Sequence, residues 1–164
     1  MMHVGIVMGS DSDFPIMKKA CDILKGVGVS FDVTIASAHR TPEKLARFVQ
    51  DEEKKGATCF IAGAGMAAAL PGVVASLTCR PVIGVPLSGA NLDGMDALYS
   101  IVQMPSGIPV ATVAIDGAKN AAYLAIEIGG VKEQALYERY QAYRKEAAEE
   151  IYRKDENLQK ELKK

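Results

Sequence analysis

Residues 3–28, HVGIVMGSDSDFPIMKKACDILKGVG, decide the fold. The stretch opens on an apolar run, His3 to Met8, that reads as a strand and is stopped by Gly9. Over about 13–27, Ile16, Met17, Ala20, Ile23, Leu24 and Val27 recur at three- and four-residue steps, the period of an amphipathic helix, and Gly28 ends it. The same alternation continues to the far end of the chain. Strands are predicted at 31–36, 58–62, 81–85 and 109–115, and helices at 67–77, 93–102 and 118–128. The helix between the second and third strands opens at Thr41-Pro42-Glu43, a cap residue followed by proline at the first helical position, and Gly56 closes it.

Strands alternating with helices of this length predict an α/β protein with a parallel sheet. Five strands with right-handed crossovers leave few topologies beside a doubly wound, flavodoxin-like one. No boundary, repeat or low-complexity segment interrupts the pattern, so one domain is expected, with its α/β core over 1–130. Segment 131–164 reads as a long C-terminal amphipathic helix whose stripe is Leu136, Tyr140, Tyr143, Ala147 and Ile151. Its tyrosines favour contact with a neighbouring subunit, and packing on the chain's own domain stays open as the alternative.

Composition removes several classes of function. Hydrophobic residues make up 49% and charged residues 24% of the 164, the balance of a globular protein with a real core. No apolar run approaches the roughly 20 residues that span a bilayer, and no basic region precedes an apolar one at the start of the sequence, so neither membrane insertion nor secretion is expected. Cys21, Cys59 and Cys79 are scattered, odd in number and without metal-ligand spacing, which fits reduced, mostly buried thiols in the cytoplasm. A net charge of −1 gives no reason to expect nucleic acid. An anionic small molecule would need a local site.

In an open parallel sheet that site lies at the carboxyl ends of the strands. After the first strand comes Gly9-Ser10-Asp11-Ser12-Asp13, in which glycine permits close backbone approach and the serines offer hydroxyls just before a helix N-terminus, a natural place for an anion. Two aspartates so near a phosphate would repel it, so Asp13 is assigned to ribose hydroxyls; the plainer alternative is that Ser12 or Asp13 caps the helix. After the second strand stands Ser37-Ala38-His39-Arg40-Thr41-Pro42. Imidazole is the side chain best suited to exchange protons near neutral pH, and the guanidinium beside it can grip a phosphate in a fork geometry. The other histidine, His3, begins the first strand at the opposite end of the sheet and reads as structural. After the third strand, residues 62–72 are nearly devoid of polar side chains, and Gly63, Ala64, Gly65 and Leu70 leave backbone groups and room for a flat ligand, or else permit close helix-on-sheet packing. Ser88-Gly89-Ala90-Asn91-Leu92 and the helix after it could close over a pocket. No G-x-x-x-x-G-K-[ST] loop and no His/Cys/Asp/Glu cluster with ligand spacing is present, so no metal or nucleotide cofactor is expected.

Taken in order, Met8-Gly9-Ser10-Asp11-Ser12-Asp13, Ser37-Ala38-His39-Arg40-Thr41-Pro42, Gly63-Ala64-Gly65, Leu70-Pro71-Gly72 and Tyr99-Ser100-Ile101-Val102-Gln103-Met104-Pro105 resemble one family over about residues 3–130. It is the N5-carboxyaminoimidazole ribonucleotide mutase family, also called the catalytic subunit of phosphoribosylaminoimidazole carboxylase. The resemblance implies a three-layer αβα fold, a homo-octamer whose sites use more than one subunit, and no metal, ATP or organic cofactor. It implies nucleotide binding by Ser10, Asp13 and Arg40, assistance at the phosphate from Ser12 and Ser37, and His39 as general acid and base. Ala38, beside that histidine, is taken with the substrate-binding residues.

One position departs from the pattern. Many bacterial mutases of the family carry histidine immediately before Leu-Pro-Gly, where this chain has Ala69. The animal-type branch, which carboxylates aminoimidazole ribonucleotide directly with carbon dioxide, also lacks that histidine, but it usually has lysine where Arg40 stands. Ser-Ala-His-Arg and Ala-Leu-Pro-Gly place the chain nearer the mutase, and direct carboxylation stays open as the alternative. A flavodoxin-like protein holding FMN is a reading of a different class. The absence of tryptophan and the scarcity of aromatics near the strand ends speak against it, as the ordered motifs speak against a phosphorylated receiver domain using Asp11 or Asp13.

Overall fold

The computed structural model describes residues 1–89 and 91–163. Ala90, in the loop expected to close over the pocket, and Lys164, the last residue of the predicted terminal helix, lie outside the described residues. Five parallel strands, β1 (His3–Met8), β2 (Ser30–Ile35), β3 (Cys59–Gly65), β4 (Val82–Leu87) and β5 (Ala111–Thr112), form one sheet in the order β2-β1-β3-β4-β5. Six α-helices accompany them among the described residues: α1 (Phe14–Gly26), α2 (Pro42–Lys54), α3 (Leu70–Leu77), α4 (Met95–Val102), α5 (Ala118–Gly130) and α6 (Gln134–Leu162).

β1, β3 and β4 read as continuous apolar runs because helices cover both faces, whereas the edge strand β2 carries Ser30, Asp32 and Thr34 and has no buried residue. Side chains alternate across the sheet, so Val4, Ile6 and Met8 of β1 enter one core with Met17, Ala20 and Leu24 of α1 and Ala121, Ala122, Ala125 and Ile126 of α5. Val7, on the other face, joins Phe60 and Ala62 of β3 with Leu45 and Val49 of α2, Val74 of α3 and Ile101 of α4. This is the three-layer αβα, flavodoxin-like arrangement that the sequence predicts. From β1 the chain steps outward to β2 and then crosses back to β3, so a switch point falls between the carboxyl ends of β1 and β3.

Three elements differ from expectation, each for a local reason. The helix predicted over 67–77 begins at Leu70. Pro71 has no N–H to donate, so it fits only in a first turn, and Met66 stands in the left-handed region at φ 55°. The helix predicted from Asp93 begins at Met95, since Asp93 and Gly94 have φ of 50° and 86°. The strand predicted over 109–115 pairs regularly only at Ala111–Thr112, because Pro109 cannot donate to a ladder; beyond it Val113 N still donates to Gly84 O at 3.0 Å and Asp116 N to Pro86 O at 2.8 Å.

The terminal helix is 29 residues long, about 43 Å at 1.5 Å per residue. Its first half packs on the chain's own domain: Leu136 is buried, and Tyr140 and Tyr143 stack on Tyr123 of α5 with centroids 5.6 and 5.1 Å away. Arg139 Nη1 donates to Val27 O at 2.7 Å, satisfying a carbonyl at the end of α1. Farther along, Ile151, Tyr152, Leu158 and Leu162 are exposed. Among the described residues no helix is long and apolar enough to cross a membrane.

Candidate active site

A cleft of about 560 Å³ opens at the carboxyl end of the sheet over the switch point. Four loops wall it. The loop after β1 contributes Gly9, Ser10, Ser12 and Asp13; the turn after β2 contributes Ser37, Ala38, His39 and Arg40; the segment 64–70 and Ser88-Gly89 after β4 complete it. Of the residues singled out in the sequence, Ser10, Ser12, Asp13, Ser37, Ala38, His39, Arg40, Ala64, Gly65 and Leu70 are thus brought together. Gly63 is not. It lies two residues before the end of β3, where a Cβ would collide with the Met17 side chain, so its small size serves close packing of α1 on the sheet.

The first loop is a single 3-10 turn, Asp11–Asp13, closed by a capping box. Ser10 Oγ accepts from Ser12 N at 3.3 Å, and Ser10 N donates to Asp13 Oδ2 at 3.0 Å. The cap is built on Ser10 and Asp13 and serves this turn, with Ser12 Oγ donating to Ser10 Oγ at 2.9 Å; Asp13, at the start of α1, makes no side-chain capping bond into that helix. Partial burial raises the Asp13 pKa above the ordinary carboxylate value, while hydrogen bonds from the backbone of Ser10 and Gly9 act the other way.

The second wall is a tight turn. Thr41 N donates to Ser37 O at 2.9 Å and Arg40 N to Ser37 Oγ at 3.2 Å, leaving Ala38, His39 and Arg40 on the cleft side. Ala36, the residue before the turn, is buried and donates its N–H to Met8 O at 2.9 Å. His39 and Arg40 are exposed. Thr41 does not cap α2 as its sequence position suggests: its side chain makes no capping bond into the helix.

Electrostatically the walls suit a polyhydroxylated anion. Among the described residues Arg40 is the one always-cationic side chain on the lining and Asp13 the one carboxylate, and Ser10, Ser12, Ser37 and Ser88 supply hydroxyls. In a parallel α/β sheet the N-termini of the helices that follow the strands face the same end and favour negative charge. The 64–70 wall is alanine, glycine, methionine and leucine, with no side-chain hydrogen-bonding group to compete for a small uncharged molecule.

Two features were not visible in the sequence. Asp116, non-glycine yet left-handed at φ 57°, accepts from Ser88 N at 2.9 Å and Ser88 Oγ at 2.7 Å, pinning the fourth loop from 28 residues away. Its place before Gly117 signals a turn but not that partner. At the opposite end of the sheet His3, Asp32 and Glu52 converge closely enough to share a cation. Spacing conceals them because each comes from a different element. A cation of the chain's own already bridges the carboxylates: Lys55 Nζ lies 2.5 Å from Asp32 Oδ2 and 2.8 Å from Glu52 Oε1, and both partners raise its pKa.

A model of the family described as AIR carboxylase matches residues 3–150. The chain is 54% identical over 156 residues to the N5-carboxyaminoimidazole ribonucleotide mutase of Pyrococcus horikoshii, covering 95% of this chain and 88% of that protein. It is 50% identical over 156 residues to the phosphoribosylaminoimidazole carboxylase of Saccharomyces cerevisiae, covering 95% of this chain but 27% of that much longer protein. Among solved structures it superposes on that of Treponema denticola PurE with a TM-score of 0.88 at 31% identity, over 96% of this chain and 99% of that one. With the family model spanning the whole sheet and all four loops of the cleft, the chain belongs to the AIR carboxylase family.

Proposed function

We propose that the chain serves purine biosynthesis by converting N5-carboxyaminoimidazole ribonucleotide to 4-carboxy-5-aminoimidazole ribonucleotide, with His39 as the proton shuttle. The observation that carries this reading is the placement of an imidazole and a guanidinium on consecutive residues of one turn, facing the serine-rich loop across the cleft. Arg40, Ser10, Ser12 and Ser37 hold the phosphoribosyl part and Asp13 its hydroxyls, with the heterocycle against Ala38, Ala64, Gly65 and Leu70. The chemistry conserves atoms. Protonation of the carbamate nitrogen breaks the N–C bond and frees carbon dioxide and the amine, C4 attacks the carbon dioxide, and loss of the C4 proton restores aromaticity. One proton moves from C4 to nitrogen, so one neutral-range base can serve both steps. The apolar 64–70 wall offers released carbon dioxide no polar escape partner.

Direct carboxylation of aminoimidazole ribonucleotide by carbon dioxide is the second reading, favoured by Ala69 on the lining and by the likeness to a protein named as a carboxylase. Assaying both donors separates them: isomerisation of the carbamate without added bicarbonate supports the mutase, and turnover only with aminoimidazole ribonucleotide plus carbon dioxide supports the carboxylase. We further infer a cytoplasmic homo-octamer. Buried Cys21 and Cys59, the latter with its thiol pushed up to about 12 by desolvation, suit a reducing compartment, and the exposed apolar residues of α6 beyond Ala147 suit a second copy of the chain. Light scattering on the purified protein tests the assembly, and a fully active monomer of 17.5 kDa would end it.

A further inference from the structure

We propose that Thr41 is a positioning residue of this reaction: its hydroxyl, turned away from helix α2, clasps both backbone polar groups of Ser37 and so holds the turn that presents His39. The inference rests on His39 being the proton shuttle.

Threonine directly before a proline-led helix is placed to cap it, by accepting from the N–H groups of the first turn. Here the hydroxyl points the other way. Thr41 Oγ1 accepts from Ser37 N at 2.9 Å and lies 3.3 Å from Ser37 O, to which it donates. Together with the bond from Thr41 N to Ser37 O, residues 37 and 41 are tied three times across three intervening residues, of which His39 is the middle one. The flanks are fixed independently. Ala36 continues the ladder to Met8, Lys44 Nζ donates to Ile35 O at 2.7 Å, and Leu45, whose N–H bonds to Thr41 O at 3.1 Å, is fully buried. The loop is thus a short span between two anchors, and the hydroxyl removes the freedom that remains between them.

Removing it should disturb chemistry more than folding. The turn is exposed, so water can replace the lost bonds, and α2 forfeits no cap because it has none from Thr41. Chemistry is less forgiving, since a displacement of about 1 Å at a reacting group can cost about 100-fold. The short imidazole of His39 follows its backbone closely, whereas the long Arg40 side chain can readjust and keep its hold on a phosphate. A fall in kcat larger than the rise in KM follows.

The test compares Thr41→Val, Thr41→Ala and Thr41→Ser with the unaltered protein and with His39→Asn, measuring kcat, KM and thermal midpoint on the full chain. Val and Ala should lower kcat about tenfold or more with a smaller rise in KM and a nearly unchanged midpoint, and Ser should restore kcat to within about threefold. Val or Ala within about twofold of the unaltered kcat, or Ser as impaired as Val, overturns the proposal. So does failure of both Val and Ala to fold while Ser folds, since the hydroxyl would then be a folding determinant. His39→Asn keeps the two ideas apart. If it retains full turnover the shuttle assignment itself falls, whereas a dead His39→Asn beside a fully active Thr41→Val sinks only the clasp.

Discussion

The chain has two histidines, and they stand at opposite ends of the same sheet in opposite circumstances. His3, at the amino end of β1, is largely buried and bonded on both ring nitrogens, to Ser30 Oγ at 2.9 Å and Glu52 Oε2 at 2.6 Å. Glu52 is 1% exposed and is met on its other oxygen by Lys55. His39, at the carboxyl end, sits exposed on a turn whose hydrogen bonds are made by its neighbours. A histidine whose bonding capacity is consumed inside the fold is part of the framework, and one held in place from outside stands open to the cleft. The amino end of the sheet therefore works as a buried polar lock and the carboxyl end as an open site, which is the division of labour that parallel α/β sheets impose.

The sharpest way to break that contrast is His39→Asn, which conserves shape but cannot relay a proton. Turnover should fall by about 10²–10⁴-fold with ribonucleotide binding and thermal midpoint nearly unchanged. Steady-state kinetics beside calorimetric titration checks it, and near-normal turnover in the folded variant would remove the distinction between the two ends. Arg40→Ala comes next. Loss of one charge-assisted contact should weaken ribonucleotide affinity by about 1.5–3 kcal/mol and leave folding intact. Unchanged affinity would put the phosphate elsewhere.

At the amino end the expectation reverses. Glu52→Gln keeps the volume but removes the charge that His3 and Lys55 share, and the half-exposed Lys55 can fall back on Asp32. The destabilisation should be about 1–2 kcal/mol, below that of breaking a fully buried pair. Urea denaturation gives the loss, and kcat per folded molecule should not move. A Glu52 variant that is stable but inactive would tie the two ends together.

What could be read from the sequence follows the same contrast. β1, β3 and β4 were legible because both faces are covered, which turns each into an apolar run, and the loops after β1 and β2 were legible because their polar residues cluster within a few positions. Gly63 was not separable from Gly65: a small residue at a strand end serves a ligand or a neighbour's side chain equally well, and only the position of Met17 decides. The direction of the Thr41 hydroxyl was hidden for a related reason, since a threonine before proline has two sets of backbone partners within reach. The His3–Asp32–Glu52 cluster and the Asp116–Ser88 clasp join residues from distant elements, and nothing local marks them.

The smallest expected effect concerns two aspartates, one at each end. Lys55 beside Asp32 holds its pKa below the ordinary value of 3.8, whereas burial pushes Asp13 above 3.8. For Asp32 the folded pKa is depressed, so its contribution to stability is present above the unfolded value and lost as pH falls through the folded one. For Asp13 the sign inverts. The folded protein binds its proton more tightly than the unfolded chain, so ionised Asp13 costs stability at every pH above its raised folded pKa, and the cost disappears below 3.8. At neutral pH, Asp32→Asn should therefore lower stability slightly, on the scale of a surface ion pair, with the difference fading in acid. Asp13→Asn, whose amide oxygen can still accept from Ser10 N, should leave stability unchanged or slightly raised while impairing ribonucleotide binding. Denaturation midpoints across pH 3–7 for both variants decide it. Equal destabilisation by the two substitutions at pH 7 would mean that the carboxylate in the cleft is as much a part of the folded framework as the one in the lock.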